Sequence, residues 1–264
     1  MEKASKAKLR EIRILLRNKK VRDEEGLFVA EGYKIVNDLL SKGQKVTSVY
    51  ISSRMIAAPS TREFQKLTEN KKVPVFRIPG PEFDKLSSLR NSQGILAVVK
   101  RKEQLFMVPP AGDEALLVLC DGIQDPGNLG TIIRTSAAFG ADALLLYGET
   151  ADIYNPKAVR ASSGAVLDIP VHGCDIRELE RLKKEGFRVL AGQVPGEQTE
   201  DIQKMSIKKE PVILAFGSEG RGVSREVLAR ADGFFCISIR EKIESLNVTA
   251  AAAIALYVFS KNKK

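Results

Sequence analysis

Six short apolar runs, separated by helical stretches, occupy the second half of the chain and constrain its fold more than any other feature. They are Leu116–Cys120, Leu144–Tyr147, Ile169–Val171, Phe187–Ala191, Val212–Phe216 and Phe234–Ile239. Runs without polar alternation are typical of strands that are buried on both faces. Because the runs alternate with helices, they predict an α/β domain built on a parallel sheet.

A final helix is predicted from Leu246 to about Ser260. Its small residues, Ala250–Ala253, indicate close packing against another element.

The first hundred residues predict a smaller mixed α/β unit. Helices are expected at Lys3–Asn18, Glu31–Ser41, Thr61–Glu69 and Glu82–Leu89, and strands at Phe28–Val29, Val46–Ile51, Val73–Ile78 and Gly94–Val99. Residues 101–114 break both periodicities and contain two prolines and a glycine. We therefore predict two domains, residues 1–105 and residues 106–264.

Basic residues are concentrated in the first of these domains. Residues 1–105 contain 23 Lys and Arg against 12 Asp and Glu, a net charge of +11, whereas residues 106–264 carry −2. A basic module joined to a nearly neutral one is typical of proteins that bind a polyanion. The alternative is a basic helix face that is merely solvated. The asymmetry favours nucleic acid as a partner.

Apolar segments and cysteines indicate the compartment. No apolar run reaches the roughly 18 residues of a spanning helix, and the basic N-terminus has no signal-peptide core. We expect a cytoplasmic protein with no membrane partner. Cys120 and Cys236 lie in apolar runs, and Cys174 near His172, the only histidine, lacks a second pair of ligands. We therefore expect no metal.

Three glycine-bearing or polar turns follow predicted strands: Asp121–Gly130, Gly217–Gly222 and Arg240–Asn247. Ligands of parallel α/β sheets bind at the carboxyl ends of the strands. Glycine there lets the backbone approach a ligand, so a side chain at Gly217 is expected to obstruct the ligand while the fold stays intact. Each turn alone is equally typical of a tight turn. None has the spacing of a P-loop or a dinucleotide-binding loop.

The residues in these turns carry a family resemblance. Asn128-x-Gly130 with Arg134, Phe216-Gly-Ser-Glu-Gly220 and Ser245-Leu-Asn-Val248 resemble the three motifs of the SpoU, or TrmH-type, RNA ribose methyltransferases. The stretch from Asn155 to Ala165 is similar to the segment between the first two motifs. The segments FVAEGYKIVNDLL and SQGILAVV resemble the family's N-terminal substrate-binding domain, which is akin to a small ribosomal-protein fold.

The resemblance implies a catalytic domain with a deep C-terminal trefoil knot and a homodimer whose site is completed near the subunit interface. It also implies S-adenosylmethionine as the cofactor, held largely through backbone atoms at Gly217, Ile239 and Leu246. The loop Arg240–Glu244 is shorter and more charged than the family's usual Ile-Pro-Met loop. A contact from that loop is therefore the part of the resemblance that this sequence supports least.

The same resemblance assigns the chemistry. Arg134 is implicated in activating a ribose 2′-hydroxyl. Because a guanidinium is not deprotonated in proteins, we expect it to bind the adjacent phosphate and stabilise a developing alkoxide. Asn128 is expected to orient Arg134 or the ribose, and Glu219 to hold Arg134 or the substrate. Ser245 and Asn247 are expected either in the site or as helix N-caps.

The RNA target is expected to be ribosomal RNA, because the appended N-terminal domain is typical of members that act on it. Three alternatives stay open: a transfer RNA 2′-O-methyltransferase, a non-catalytic RNA-binding protein that has kept the knotted fold, and a Rossmann-type methyltransferase. Arg160, Ser162 and Ser163 are further candidates for RNA contacts.

Overall fold

The computed structural model describes residues 1–55, 59–87, 89, 91–102, 115–205, 210–240 and 245–260. The chain divides into two compact units: unit 1 comprises residues 1–103 and 154–164, and unit 2 comprises residues 104–153 and 165–264. The predicted domain boundary after residue 105 lies outside the described residues. The division into 1–105 and 106–264 therefore stays a prediction.

The strands are β1 (Glu2–Lys3), β2 (Leu27–Glu31), β3 (Val46–Ser52), β4 (Val75–Ile78), β5 (Ile95–Lys100), β6 (Leu116–Asp121), β7 (Ala143–Tyr147), β8 (Val171–Gly173), β9 (Arg188–Gly192), β10 (Glu200–Asp201), β11 (Val212–Gly217) and β12 (Gly233–Cys236). The helices are α1 (Lys6–Arg17), α2 (Lys19–Glu25), α3 (Tyr33–Ser41), α4 (Pro59–Asn70), α5 (Gly80–Asp84), α6 (Pro126–Ala138), α7 (Pro156–Ala161), α8 (Ile176–Lys184), α9 (Arg225–Leu228) and α10 (Val248–Ser260), with a 3₁₀ turn at Ala165–Leu167. Among the described residues, no helix is both long and apolar enough to cross a membrane.

Unit 1 is built on a five-stranded mixed sheet in the order β1-β4-β3-β5-β2. The pairs β1–β4 and β3–β4 are parallel, whereas β5 pairs antiparallel with both β2 and β3. Helix α1 covers one face of the sheet because Ile12 and Leu15, on one side of the helix, are buried against Val29 and Val98. The predicted smaller mixed α/β unit is thereby confirmed.

Residues 154–164 belong to unit 1 although they interrupt unit 2 in the sequence. Helix α7 packs on β2, and the Tyr154 ring lies 4.8 Å from that of Phe28. Arg160 forms a 3.3 Å ion pair with Glu31, whose side chain is only 1% exposed. Ser92 also donates to the Glu31 carboxylate across 3.0 Å, and Ser87 donates to it as well. A buried carboxylate thus holds this segment on unit 1.

Unit 2 contains a seven-stranded sheet in the order β10-β12-β9-β11-β6-β7-β8. All of its strand pairs are parallel, which confirms the parallel sheet predicted from the apolar runs. Because successive side chains of a strand point to opposite faces, Leu117 and Leu119 pack with Leu179 and Leu182 of α8 on one face. Helices α6 and α10 pack against each other and contact β7 and β11, respectively. The trefoil knot that the family resemblance implies stays a prediction.

Some predicted bounds in unit 1 are wrong: the helix expected at Glu82–Leu89 is α5, Gly80–Asp84, and Glu31, expected in a helix, ends β2. In unit 2, the bounds of two strands differ for reasons of pairing. Phe234–Ile239 was predicted as one strand, but β12 ends at Cys236 because its neighbour β9 ends at Gly192, opposite Phe235. The run Ile169–Val171 pairs only from Val171 onward, so β8 begins there. The charged helix α2 has no apolar periodicity that would predict it. It is defined by its ends, where the Asn18 side chain accepts from the amide of Val21 and Gly26 adopts a φ of 63°.

Candidate functional site

The loops at the carboxyl ends of β6, β11 and β12 converge in unit 2. Strands β6 and β11 are neighbours with Asp121 opposite Gly217, so the loops that follow them begin side by side. The turn after β11 is closed by a 2.8 Å hydrogen bond from the amide of Gly222 to the carbonyl of Ser218. The turns after β6 and β11 therefore lie at one edge of the sheet, as expected for a parallel arrangement. Residues 241–244 of the third turn, which include most of the charged loop Arg240–Glu244, lie outside the described residues, and Asn247 at the end of that turn contacts the turn after β11 through Glu219.

Glu219 accepts hydrogen bonds from side chains of the other two turns. Its Oε1 atom accepts a 2.5 Å hydrogen bond from Nδ2 of Asn128 and a 2.8 Å hydrogen bond from Nδ2 of Asn247. Hydrogen bonds to an ionised carboxylate are stronger than those between neutral groups. One carboxylate oxygen therefore ties the start of α6 and the start of α10 to the turn after β11.

Helix caps orient both asparagines. Asp125 caps α6, its Oδ1 accepting from the amides of Gly127 and Asn128 across 2.7 and 2.9 Å. Asn247 precedes α10, and its Oδ1 accepts from the amide of Thr249 across 2.8 Å while its Nδ2 donates to Glu219. Asn247 therefore caps α10 with its amide oxygen and binds Glu219 with its amide nitrogen, while its role in the site stays a prediction. Ser245 is exposed.

A first cavity, of about 160 Å³, opens at the ends of β9, β11 and β12. Gly217, Ile239 and Leu246, the three residues expected to hold a cofactor, all line it, together with Glu219 and Ser245. Apolar side chains from Phe235, Val248 and Ala251 complete much of the wall. Among its described lining residues, Glu219 is the only charged one.

A second cavity, of about 430 Å³, lies beside the first. Its walls come from the loops 121–125, 147–149 and 218–222, with Asn128, Ser224, Glu226 and Val248. Ser218, Glu219, Gly222 and Val248 line both cavities. The two cavities therefore share a wall, and Glu219 is its charged member.

Gly217 has a role that the sequence reasoning did not foresee. A Cβ atom there would lie 1.9 Å from the backbone carbonyl carbon of Gly222 and 2.1 Å from the amide nitrogen of Val223. The expectation that a side chain at Gly217 would leave the fold intact is therefore wrong, because the turn itself would have to move. Glycine is required here for close backbone packing, whatever the cavity contains.

Arg134 stands apart from the cluster around Glu219. It is exposed on α6, lines neither cavity, and forms no hydrogen bond or ion pair with any described residue. The expected pairing of Arg134 with Asn128 or Glu219 is not formed within this chain. Six residues, about 1.7 turns of helix, separate Arg134 from Asn128, so the two side chains leave α6 in different directions.

The candidate RNA contacts at residues 160–163 have structural partners in unit 1. Arg160 pairs with buried Glu31, and the fully buried Ser162 donates to the carbonyl of Val159. Ser163 adopts a φ of 51°, which is rare for a residue other than glycine. Of these residues, Arg160 holds 154–164 on unit 1, whereas Ser162 bonds within the segment itself.

The histidine and cysteines lie in ordinary structural positions. His172 is buried in β8, and burial lowers its pKa. Burial raises the pKa of the Cys120 thiol to about 12, so this cysteine stays protonated near neutral pH. In the described part of the chain, no three His, Cys, Asp or Glu side chains are grouped to hold a metal ion.

One segment of the first cavity was missed by the sequence reasoning. Gly192, the last residue of β9, and Gln193, Val194 and Pro195, which follow it, form part of its wall, and Val194 is 61% exposed. The signal that was available is position, since these residues end an apolar run at the same edge of the sheet. None of the four carries a charge that would have marked it.

Comparison with protein families covers most of the chain. The model of the SpoU rRNA Methylase family matches residues 115–257, and that of the MRM3-like substrate binding domain matches residues 6–97. The first range contains both cavities and the hydrogen bonds of Glu219. The second contains the mixed sheet of unit 1.

Individual proteins are similar over nearly the whole length. The 23S rRNA (guanosine(2553)-2′-O)-methyltransferase RlmP of Bacillus subtilis is 30% identical over 244 residues, which cover 92% of each chain. The crystal structure of an rRNA methyltransferase from Sinorhizobium meliloti has a TM-score of 0.84 and 28% identity, covering 99% of this chain and 97% of that one. A structure of an AdoMet-bound rRNA methyltransferase from the same organism has a TM-score of 0.82, with 27% identity and the same coverage.

Proposed function

The chain belongs to the SpoU rRNA methylase family and is an S-adenosylmethionine-dependent RNA methyltransferase, and we propose that it methylates a ribose 2′-hydroxyl of ribosomal RNA. The observation that carries the proposal is the convergence of Asn128, Asn247 and Glu219 on the wall that the two cavities share. A methyl donor on one side of this wall and a hydroxyl on the other would be neighbours.

The first cavity fits the cofactor. S-adenosylmethionine supplies a methyl group on a positively charged sulfonium, together with an adenosine portion that suits an apolar wall. Ile239, Leu246 and Phe235 provide apolar surface, and the described lining contains no cation that would repel a sulfonium. Gly217 and its neighbour Ser218 line the same cavity, where the resemblance implies backbone contacts to the cofactor. These residues would hold the cofactor.

Glu219 is proposed to position the site through its two hydrogen bonds and to hold a negative charge beside the cofactor. Because Asn128 and Asn247 donate to the same oxygen, the second carboxylate oxygen has no protein donor among the described residues. An ionised carboxylate only accepts hydrogen bonds. The second oxygen is therefore available to a donor on the substrate, such as a ribose hydroxyl.

Arg134 is proposed to act across a homodimer interface. Ile254 and Tyr257 lie one turn apart on α10 and are 37% and 54% exposed, and the Tyr257 ring contacts that of Phe139 at the end of α6. An apolar surface on α6 and α10 favours two-fold association. Arg134 is exposed on α6 and unpaired among the described residues of its own chain, so a second copy would supply a partner for it.

Two measurements test the assembly and the role of Arg134. Light scattering should give about twice the 29.0 kDa mass of the chain, and Tyr257→Glu should give a monomer. Arg134→Ala should lower the single-turnover methylation rate much more than RNA or cofactor affinity, and Arg134→Lys should not restore it, because an ammonium lacks the planar fork. A monomeric wild type with full activity would contradict the shared site.

Ribosomal RNA is proposed as the substrate because unit 1 matches a substrate-binding domain and the B. subtilis relative is named for 23S rRNA. The basic side chains of Arg10, Arg13 and Arg17 are exposed on α1, where phosphates can reach them. The cysteines among the described residues are free thiols, which fits the cytoplasm as the proposed compartment.

Mapping 2′-O-methylation in total RNA from cells with and without the gene tests the substrate. We expect one or a few ribosomal RNA positions to lose the modification when the gene is deleted. Loss confined to transfer RNA would favour the alternative substrate. An unchanged map, together with no methylation by the purified protein, would favour the non-catalytic alternative.

A further inference from the structure

The second cavity has no assigned occupant. It is defined by the loops 121–125, 147–149 and 218–222 of unit 2 and is larger than the first, at about 430 Å³ against about 160 Å³. Its occupant would face the cofactor cavity across Ser218, Glu219 and Val248. In a methyltransferase with two cavities that share one wall, the group that accepts the methyl belongs in the cavity that the cofactor does not fill.

Most of the charged residues that line the second cavity are acidic. Five of its described lining residues carry a carboxylate: Asp121, Asp125, Glu149, Glu219 and Glu226. Two of these carboxylates have structural roles: Asp121 accepts a 2.6 Å hydrogen bond from the amide of Ser224, and Asp125 caps α6. Glu149 and Glu226 are exposed, and Tyr147 donates to Glu226 across 3.4 Å. Such a wall repels phosphate and accepts hydrogen bonds from hydroxyl and amino groups.

Arg221 is the only cation among the described residues that line this cavity. It lies on the turn after β11, flanked by Gly220 and Gly222, with Gly222 at a φ of 66°. The side chain is exposed and forms no ion pair with any described residue, although five carboxylates line the same cavity. A guanidinium held away from its carboxylate neighbours is available to an external anion.

We propose that the second cavity binds the target nucleotide of the RNA and that Arg221 binds the phosphate on one side of the methylated ribose, while the phosphate on the other side of that ribose is left to Arg134. This inference rests on the proposed function, because it assigns the acceptor side of the same site. A guanidinium fork matches two phosphate oxygens. The acidic wall keeps phosphates out of the cavity interior, so the single cation fixes where the backbone lies. Ribose and base, which carry hydrogen-bond donors, occupy the carboxylate-lined interior.

Arg221→Gln is the test variant, and Arg225→Gln is its matched control. Both arginines are exposed, four residues apart and identical in charge, but Arg225 begins α9 and lines neither cavity. The substrate is total ribosomal RNA from cells that lack the gene. Arg221→Gln should raise KM for RNA by about tenfold and lower the log–log salt slope of RNA binding by about 0.7 to 1. Arg225→Gln should change KM by less than about twofold.

Two further measurements distinguish phosphate binding by Arg221 from other roles of this residue. S-adenosylmethionine affinity, measured by calorimetry, should be the same in wild type and both variants, since Arg221 does not line the first cavity. Arg221→Glu should raise KM more than Arg221→Gln, because it adds a repulsive charge where the phosphate binds.

Equal KM values for Arg221→Gln and Arg225→Gln, with an active wild type, would overturn the inference and leave the proposed function intact. A matching loss of cofactor affinity in Arg221→Gln would also overturn it, because the arginine would then act on the other cavity. A wild type that forms no 2′-O-methylated ribose would instead refute the proposed function.

Discussion

Nδ2 of Asn247 donates a 2.8 Å hydrogen bond to Oε1 of Glu219, joining the residue before α10 to the turn after β11. The same oxygen accepts from Asn128 at the start of α6. Because one oxygen serves both donors, a glutamine at position 219 can keep both hydrogen bonds while it replaces the charge and the second acceptor oxygen with an amide NH2 group. The charge and the geometry of this residue are therefore separable by substitution.

Glu219→Gln should fold with nearly the stability of the wild type but lower kcat by about tenfold or more, because the charge is lost from the shared wall. Glu219→Ala should lower kcat as well and should also cost about 1 kcal/mol of stability, because both hydrogen bonds are lost. Thermal unfolding and single-turnover methylation measure the two effects. Full activity of Glu219→Gln would mean that the residue acts only by positioning its neighbours.

Cofactor binding is better tested at Ala251 than at Gly217, where any side chain collides with the backbone of Gly222 and Val223. Ala251 of α10 lines the first cavity, so the larger side chain of Ala251→Leu should occupy part of the cavity and weaken S-adenosylmethionine binding by about tenfold or more. Ala250→Leu is the control, since Ala250 is the exposed neighbour on the same helix. If calorimetry gave equal dissociation constants for the two variants, the first cavity would be excluded as the cofactor site.

We expect the ion pair of Arg160 with Glu31 to contribute more to the free energy of unfolding than an exposed ion pair does. Arg160→Ala leaves the 1%-exposed Glu31 side chain without its cation and should lower the free energy of unfolding by about 3 kcal/mol. Arg54 and Asp84, 63% and 52% exposed, also pair in unit 1, and Arg54→Ala should cost about 0–1 kcal/mol. Denaturant unfolding compares them. Similar small losses would mean that residues 154–164 are held by other contacts.

The basic face of α1 predicts salt-dependent RNA binding. Replacing Arg10, Arg13 and Arg17 by glutamine removes three exposed charges and should flatten the log–log salt slope by roughly 2, at about 0.7 per phosphate contact. The matched control replaces three exposed cations of α8, Arg177, Arg181 and Lys184. Cofactor affinity should be unchanged in both. Equal slopes for the two variants would indicate that the α1 charges form only a solvated face.

The sequence predicted the elements of unit 2 well because buried parallel strands are continuous apolar runs that need no knowledge of their neighbours. It could not supply the strand order, in which β6 lies beside β11, because such pairing joins residues about a hundred positions apart. The sequence did not predict strand β1 and helix α2. Each is short and charged, and each is defined by a pairing or a cap and not by periodicity.

The motifs indicated residues that meet around Glu219 but not the contacts that they make. Spacing alone does not reveal that Asn128 and Asn247 share one oxygen of Glu219, or that Arg134 faces away from them. The partnership of Arg160 with Glu31, 129 positions apart, was equally out of reach. Both are tertiary contacts between side chains, which local patterns do not encode.

Incubating the purified protein with S-adenosylmethionine and ribosomal RNA from cells that lack the gene, and identifying the product by nucleoside mass spectrometry, shows whether the chain methylates a ribose. A 2′-O-methyl group blocks attack of the ribose hydroxyl on the adjacent phosphate, so the modified linkage resists alkali. We expect one 2′-O-methylated nucleoside, in alkali-resistant linkage, formed much more slowly by Glu219→Ala. A methyl group found on a base, or no transfer to ribosomal RNA at all, would contradict it.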